Sequence, residues 1–184
     1  MTTWTDPGFE RIYEQYHRPI LGYCLRRTSR EEAHEAANEV FTVAWRRFED
    51  MPSGDGTLPW LYGVARRVLS HQRRSKTRFA MLTGKAATIV DPPPPGPEAV
   101  VVQRQEYETV WRAVARLRPD DREMLLLSAW EGLSHAEIAA CTGHSLFAVD
   151  KRLARAKQRL KRQYDAIYAT ETNRPPGERN LRRR

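Results

Sequence analysis

Apolar residues recur every three or four positions through most of the chain, and no stretch alternates like a strand bounded by hairpin turns, so the pattern predicts helices throughout. In "FERIYEQYHRPILGYCLRR", Phe9, Ile12, Tyr16 and Ile20 fall at helical spacing and read as core. A second helix opens at "SREE", where Ser29 as N-cap and Glu32 three places on form a capping-box signature. It is predicted over Glu32 to Glu49, with Ala33, Ala37, Val40, Phe41, Ala44 and Phe48 on one stripe and Glu35, Asn38 and Glu39 largely off it. In "WLYGVARRVLSHQRRSKTR", Leu61, Val64, Ala65 and Val68 supply an inward stripe, while Arg66, Arg67, Arg73 and Arg74 point elsewhere.

Periodicity stops at "TGKAATIVDPPPPG". Its four consecutive prolines lack amide hydrogens and fix φ, so they fit neither a helix interior nor a central strand. The expected organisation is an all-α chain of two small helical domains: residues 1–80, a Pro-rich linker at 81–98, a second domain at 99–168 and a disordered basic tail at 169–184.

The second domain carries the sharper pattern. After the helix in "PEAVVVQRQEYETVWRAVARL", the segment "RPDDREMLLLSAWEGLS" offers Asp120 or Asp121 as N-cap and Gly132 as a helix stop. Ser134 and Glu137 repeat the capping-box spacing before a short helix to Cys141. Gly143 stands where two helices must turn sharply, and Ser145 caps the next one, whose inner face is Leu146, Val149, Leu153, Ala156 and Leu160. This is helix-turn-helix spacing. It leaves Phe147, Ala148, Asp150, Lys151, Arg152 and Arg155 outward, near the end that would enter a major groove.

Charge changes the picture by where it sits. The 184 residues carry 31 Lys and Arg against 23 Asp and Glu, a net +8, which favours a polyanionic partner. Yet residues 1–53 hold nine acidic and seven basic side chains. The excess lies in Trp60 to Arg78, with six basic residues and none acidic, and in Leu146 to Gln163, with seven basic residues against the single Asp150. A solvated helix normally mixes signs. Two single-sign helices in separate domains imply two contacts along one extended polyanion.

Other chemistry is sparse. The two cysteines, Cys24 and Cys141, define no disulfide framework and fit a reducing compartment. Cys141 and His144 stand at metal-like spacing, but two ligands across a turn make a poor zinc site, and no metal or cofactor is expected. No phosphate loop, nucleophile elbow or catalytic carboxylate pair is present, so enzymatic activity is not expected. The N-terminus lacks a signal-like apolar core and no apolar run approaches a membrane span, so the expectation is a cytoplasmic protein without membrane insertion.

Three segments together resemble the extracytoplasmic-function (ECF) group of bacterial RNA polymerase sigma factors, from Phe9 to about Tyr164. "EAANEVFTVAWRRF" is similar to the group's core-polymerase-binding stretch, "GDGTLPWLYGVARRVLSHQRR" to its promoter-melting segment, and "LRPDDREMLLLSAWEGLSHAEIAACTGHSLFAVDKRLARAKQRLKR" to its second DNA-reading domain. The resemblance implies that Glu35, Asn38, Glu39 and Arg46 bind polymerase core. It implies that Trp60, with Tyr62 beside it, sits at the edge of the melted minus-10 element while Arg66, Arg67, Arg73 and Arg74 hold phosphates. Trp60 reads equally as a core residue. The minus-35 element would fall to Ser145, Phe147, Ala148, Asp150, Lys151, Arg152 and Arg155. Thr142, His144, Phe147 and Asp150 depart from the usual pattern, which bears on promoter sequence and not on class. Implied partners are RNA polymerase core, promoter DNA as duplex and melted strand, and an anti-sigma factor. A stand-alone helix-turn-helix regulator would account for the second domain and the charge, but not for the acidic helix.

Overall fold

The computed structural model describes residues 6–83 and 101–172; the proline run lies outside them. Those residues form seven α-helices and, among them, no strand.

Helices α1 (Pro7–Leu25), α2 (Arg30–Arg46) and α3 (Thr57–Thr83) pack mutually as the N-terminal half. The Asp6 side chain caps α1, accepting from the Gly8 and Phe9 amides. Phe9 and Ile20 are fully buried as their spacing predicts, with Ile12 and Tyr16 partly so. The predicted stripes of α2 and α3 likewise face inward, and Ala36 joins them. The capping box at α2 is only half formed. The Glu32 amide reaches Ser29 Oγ at 3.5 Å, but the Glu32 carboxylate turns to Thr28 and to Lys76 of α3 instead of to the Ser29 backbone. Helix α2 also ends three residues before Glu49. Arg47 departs from helical geometry, and Phe48–Asp50 form a separate 3-10 turn that lets Phe48 meet Phe9 edge-on at 5.7 Å.

Helices α4 (Val101–Ala115), α5 (Pro119–Ala129), α6 (His135–Thr142) and α7 (Leu146–Thr172) form the C-terminal half, with α7 as the common wall. Neither Asp120 nor Asp121 is an N-cap. Pro119 takes the first helical position, which suits its fixed φ and missing amide, so the cap falls on Arg118 and both acids sit in the first turn. Asp121 is buried there and pairs with Arg159 of α7. Arg122 closes the end of α4, donating to the carbonyls of Val114, Ala115 and Leu117. Of the stripe predicted on α7, Val149, Leu153 and Ala156 are buried and Leu160 packs partly, but Leu146, the first residue of the helix, is half exposed. Helix α7 continues to Thr172, four residues into the stretch expected as a disordered tail; residues 173–184 lie outside the description.

The halves are joined by more than the linker. Helix α3 lies against α6, and the buried apolar residues of both halves form one continuous core. Gly63 makes the approach possible: a Cβ there would stand 3.1 Å from the Cys141 carbonyl oxygen. Around this contact runs an ion-pair network. Glu131 accepts from Arg26 Nη2 at 2.5 Å and from Arg27 Nη1 at 3.0 Å. Glu123 accepts from Arg27 Nε at 2.8 Å and from the Tyr23 hydroxyl at 2.7 Å.

Candidate functional site

Three surfaces carry the residues singled out in the sequence. On α2 the buried face of Ala33, Ala36, Ala37, Val40, Phe41 and Ala44 turns Glu35, Asn38, Glu39 and Arg46 to solvent. Glu39 accepts from Gln72 of α3 at 3.4 Å, and Glu32 beside this face holds Lys76. Those bonds from Lys76 and Thr28 keep the Glu32 carboxyl below its ordinary range.

On α3 the entrance is a compact turn. Gly54 takes the left-handed conformation at φ +64°, and the Thr57 hydroxyl donates to the Pro52 carbonyl at 2.8 Å. Trp60 follows, half-buried against the core, with Arg47 5.8 Å from its ring centroid. Arg67, Arg73 and Arg74 are exposed and Arg66 is partly covered. Tyr62 does not join this surface. It is buried beside Tyr23, ring centroids 5.1 Å apart, and burial with the neighbouring Glu131 pushes its phenol up to about 12. It sits one face away from Trp60 because the helical turn carries residue 62 toward the C-terminal half.

The third surface is the helix-turn-helix. Ser134 and Glu137 cap α6 reciprocally: the Glu137 amide reaches Ser134 Oγ at 3.3 Å and the Ser134 amide donates to Glu137 Oε2 at 2.7 Å, as the sequence spacing predicts. Those bonds hold the Glu137 carboxyl below its usual value. Gly143 ends α6 at φ +72°, and Ser145 opens α7, its Oγ accepting the Ala148 amide at 3.3 Å. From this end project Phe147, 70% exposed, with Lys151 5.4 Å from its ring centroid, then Arg155, with Ala148 and Arg152 partly covered. Asp150 is exposed but engaged: its Oδ1 lies 2.5 Å from His135 Nδ1 at the start of α6. Burial and the cations of Arg152 and Arg66 depress the His144 ring in the turn.

The sequence pattern gave no sign of the cluster of Tyr23, Arg26, Arg27, Glu123 and Glu131 between the halves. Its members sit on polar faces about 100 residues apart, and no local spacing links them. Burial works against the Arg27 charge, yet the facing Tyr23, Glu123 and Glu131 hold its guanidinium above its ordinary range. Both cysteines are free and buried, and burial raises the Cys24 thiol to about 12 and the Cys141 thiol to about 11. Cys141 and His144 gather no third ligand: no group of three or more metal-binding side chains occurs among the described residues. No helix there is long and apolar enough to cross a membrane.

Comparison with known proteins places the chain in a family. Residues 12–79 match the model for Sigma-70 region 2, and residues 107–160 the model for Sigma-70, region 4. The RNA polymerase sigma factor NccH of Alcaligenes xylosoxydans xylosoxydans is 31% identical over 133 residues, covering 70% of this chain and 71% of that protein. The RNA polymerase sigma factor YlaC of Bacillus subtilis (strain 168) is 29% identical over 161 residues, 84% of this chain and 91% of that protein. The fold is similar to that of the sigma factor RpoE solved in complex with the anti-sigma factor NepR from Bartonella quintana, at a TM-score of 0.74 and 18% identity over 87% of this chain and 98% of that one. With regions 2 and 4 matched in order and close relatives aligned along most of their length, the chain belongs to the RNA polymerase sigma factors, in the two-domain ECF group, and serves promoter recognition in transcription initiation.

Proposed function

We propose that each surface meets a different part of the initiation complex. Residues 1–80 and 99–168 act as the two promoter-facing domains on either side of the 81–98 linker. The exposed face of α2, with Glu35, Asn38, Glu39 and Arg46, docks on RNA polymerase core. Arg66, Arg67, Arg73 and Arg74 of α3 track the phosphates of the minus-10 strand, and Trp60 at the helix entrance supports the unstacked base. The first turns of α7, from Ser145 to Arg155, enter the major groove of the minus-35 element. Lys151, Arg152 and Arg155 neutralise phosphates and reach guanine edges, while Phe147 and Ala148 offer apolar contact and the tethered Asp150 an acceptor. The polymerisation chemistry belongs to the partner enzyme, and the chain works in the cytoplasm beside the chromosome. An anti-sigma protein as a third partner is supported by the complex in which the fold neighbour was solved.

The observation that carries this reading is the geometry at Gly143: a left-handed turn that sets the basic, exposed start of α7 across the capped helix α6. The test is transcription from genomic fragments with purified core enzyme and mapped start sites. Lys151→Glu with Arg155→Glu is expected to abolish selective initiation while leaving association with core intact. Glu35→Lys with Glu39→Lys is expected to weaken core association at least tenfold. Both variants transcribing the parent's promoters at moderate salt would refute the assignment.

A further inference from the structure

Asp150 is an acid set among cations near the start of α7, with Lys151, Arg152 and Arg155 following it. On a surface assigned to phosphates, a carboxylate weakens every backbone contact near it. Two ordinary reasons for an acid do not apply here. Asp150 is the fifth residue of the helix, past the first turn in which the helix dipole favours negative charge. Its own helix offers no cation at the positions that face it: Leu146 and Phe147 lie one turn before, Leu153 and Ala154 one turn after. Lys151, next in sequence, leans on the Phe147 ring at 5.4 Å instead.

The partner of Asp150 comes from the other helix of the motif. His135 opens α6, and its Nδ1 lies 2.5 Å from Asp150 Oδ1, with both side chains about half exposed. A carboxylate oxygen accepts, so Nδ1 is the donor and the bond sets how the carboxylate is turned. The base of this tether is itself fixed, since His135 follows Ser134, whose amide and hydroxyl are both bonded to Glu137. Asp150 Oδ2 accepts no hydrogen bond among the described residues. One oxygen is therefore anchored while the other faces outward from α7.

We infer that Asp150 is a base-selecting residue of α7 and His135 its positioning residue: the tethered carboxylate receives the N4 amino group of a cytosine at one position of the minus-35 element. The inference deepens the promoter reading above and rests on it. In the major groove cytosine presents an amino donor, whereas guanine and thymine present acceptors and adenine sets its N7 acceptor beside its amino group. A carboxylate only accepts, so the other three bases each turn a lone pair toward it, and the acid acts by penalising them. Fixing the acceptor in advance sharpens the choice. A loose aspartate swings away from a wrong base at little cost, but one held by His135 must give up that bond to do so.

The experiment uses holoenzyme, core with the full chain, on templates randomised through the minus-35 region, and reads base preference position by position. The parent is expected to favour cytosine about tenfold or more at one position, the discrimination a good base contact supplies. Asp150→Ala is expected to erase the preference there, and Asp150→Asn to move it to adenine, whose N6 and N7 an amide side chain pairs with. His135→Ala is expected to lower the cytosine preference about threefold, and His135→Gln, which keeps a donor, to restore most of it. Preferences at the remaining positions should be unchanged in every variant. A cytosine preference that survives Asp150→Ala overturns the selection, and an equal loss at all positions in His135→Ala overturns the positioning. A parent that selects upstream bases but no cytosine sensitive to these residues sinks this inference and leaves the promoter reading standing; a parent with no upstream preference removes both.

Discussion

His144 lies in the turn between α6 and α7, where burial and the cations of Arg152 and Arg66 outweigh the opposing Asp120 and hold its ring below the usual histidine range. The unfolded chain then binds more protons than the folded one as acidity rises. Stability is fully present above the free histidine value of about 6.5 and is lost as pH falls through the depressed folded value. Calorimetry between pH 7.5 and 5.5 is expected to show a falling Tm in the parent and a shallower fall in His144→Gln; equal slopes would refute the account. Asp150 was visible as the one acid between Leu146 and Gln163, but its bond to His135 spans 15 positions and depends on how α6 crosses α7. Tyr62 was legible as an aromatic beside Trp60; that it faces the other half follows from tertiary packing alone.

At the scale of elements, local chemistry was written plainly. Both helix starts with Ser and Glu at the right spacing were found, and Gly143 takes the backbone conformation its position required. What local rules did not contain was competition from a distance: Lys76 draws Glu32 away from the α2 cap, and Pro119 shifts the start of α5 ahead of both aspartates. Helix α6 has only eight residues, so its ends matter more than its propensity. Ser134→Ala is expected to cost about 1 kcal/mol by urea unfolding. Gly143→Val is expected to cost about 2 kcal/mol, since a β-branched residue is forced to positive φ. Both should weaken duplex minus-35 binding with core association unchanged, and a Gly143→Val variant of parental stability would refute the role of the turn.

For the whole molecule, two helical halves in sequence order could be read from periodicity and proline placement, and the three surfaces from the segregation of charge. The junction of the halves could not, because charge counted by segment says nothing of which acid meets which base. The walls between surfaces were hidden for the same reason, and one of them carries a genetic implication. Helix α2, which meets polymerase in our assignment, is tied by Glu32 with Lys76 and by Glu39 with Gln72 to helix α3, which holds the melted strand in the same assignment. Alleles at Glu32 or Glu39 are therefore pleiotropic, disturbing open-complex formation along with holoenzyme assembly. Suppressors of such alleles should arise inside this chain, at positions 72 and 76, as readily as in the polymerase subunit it touches.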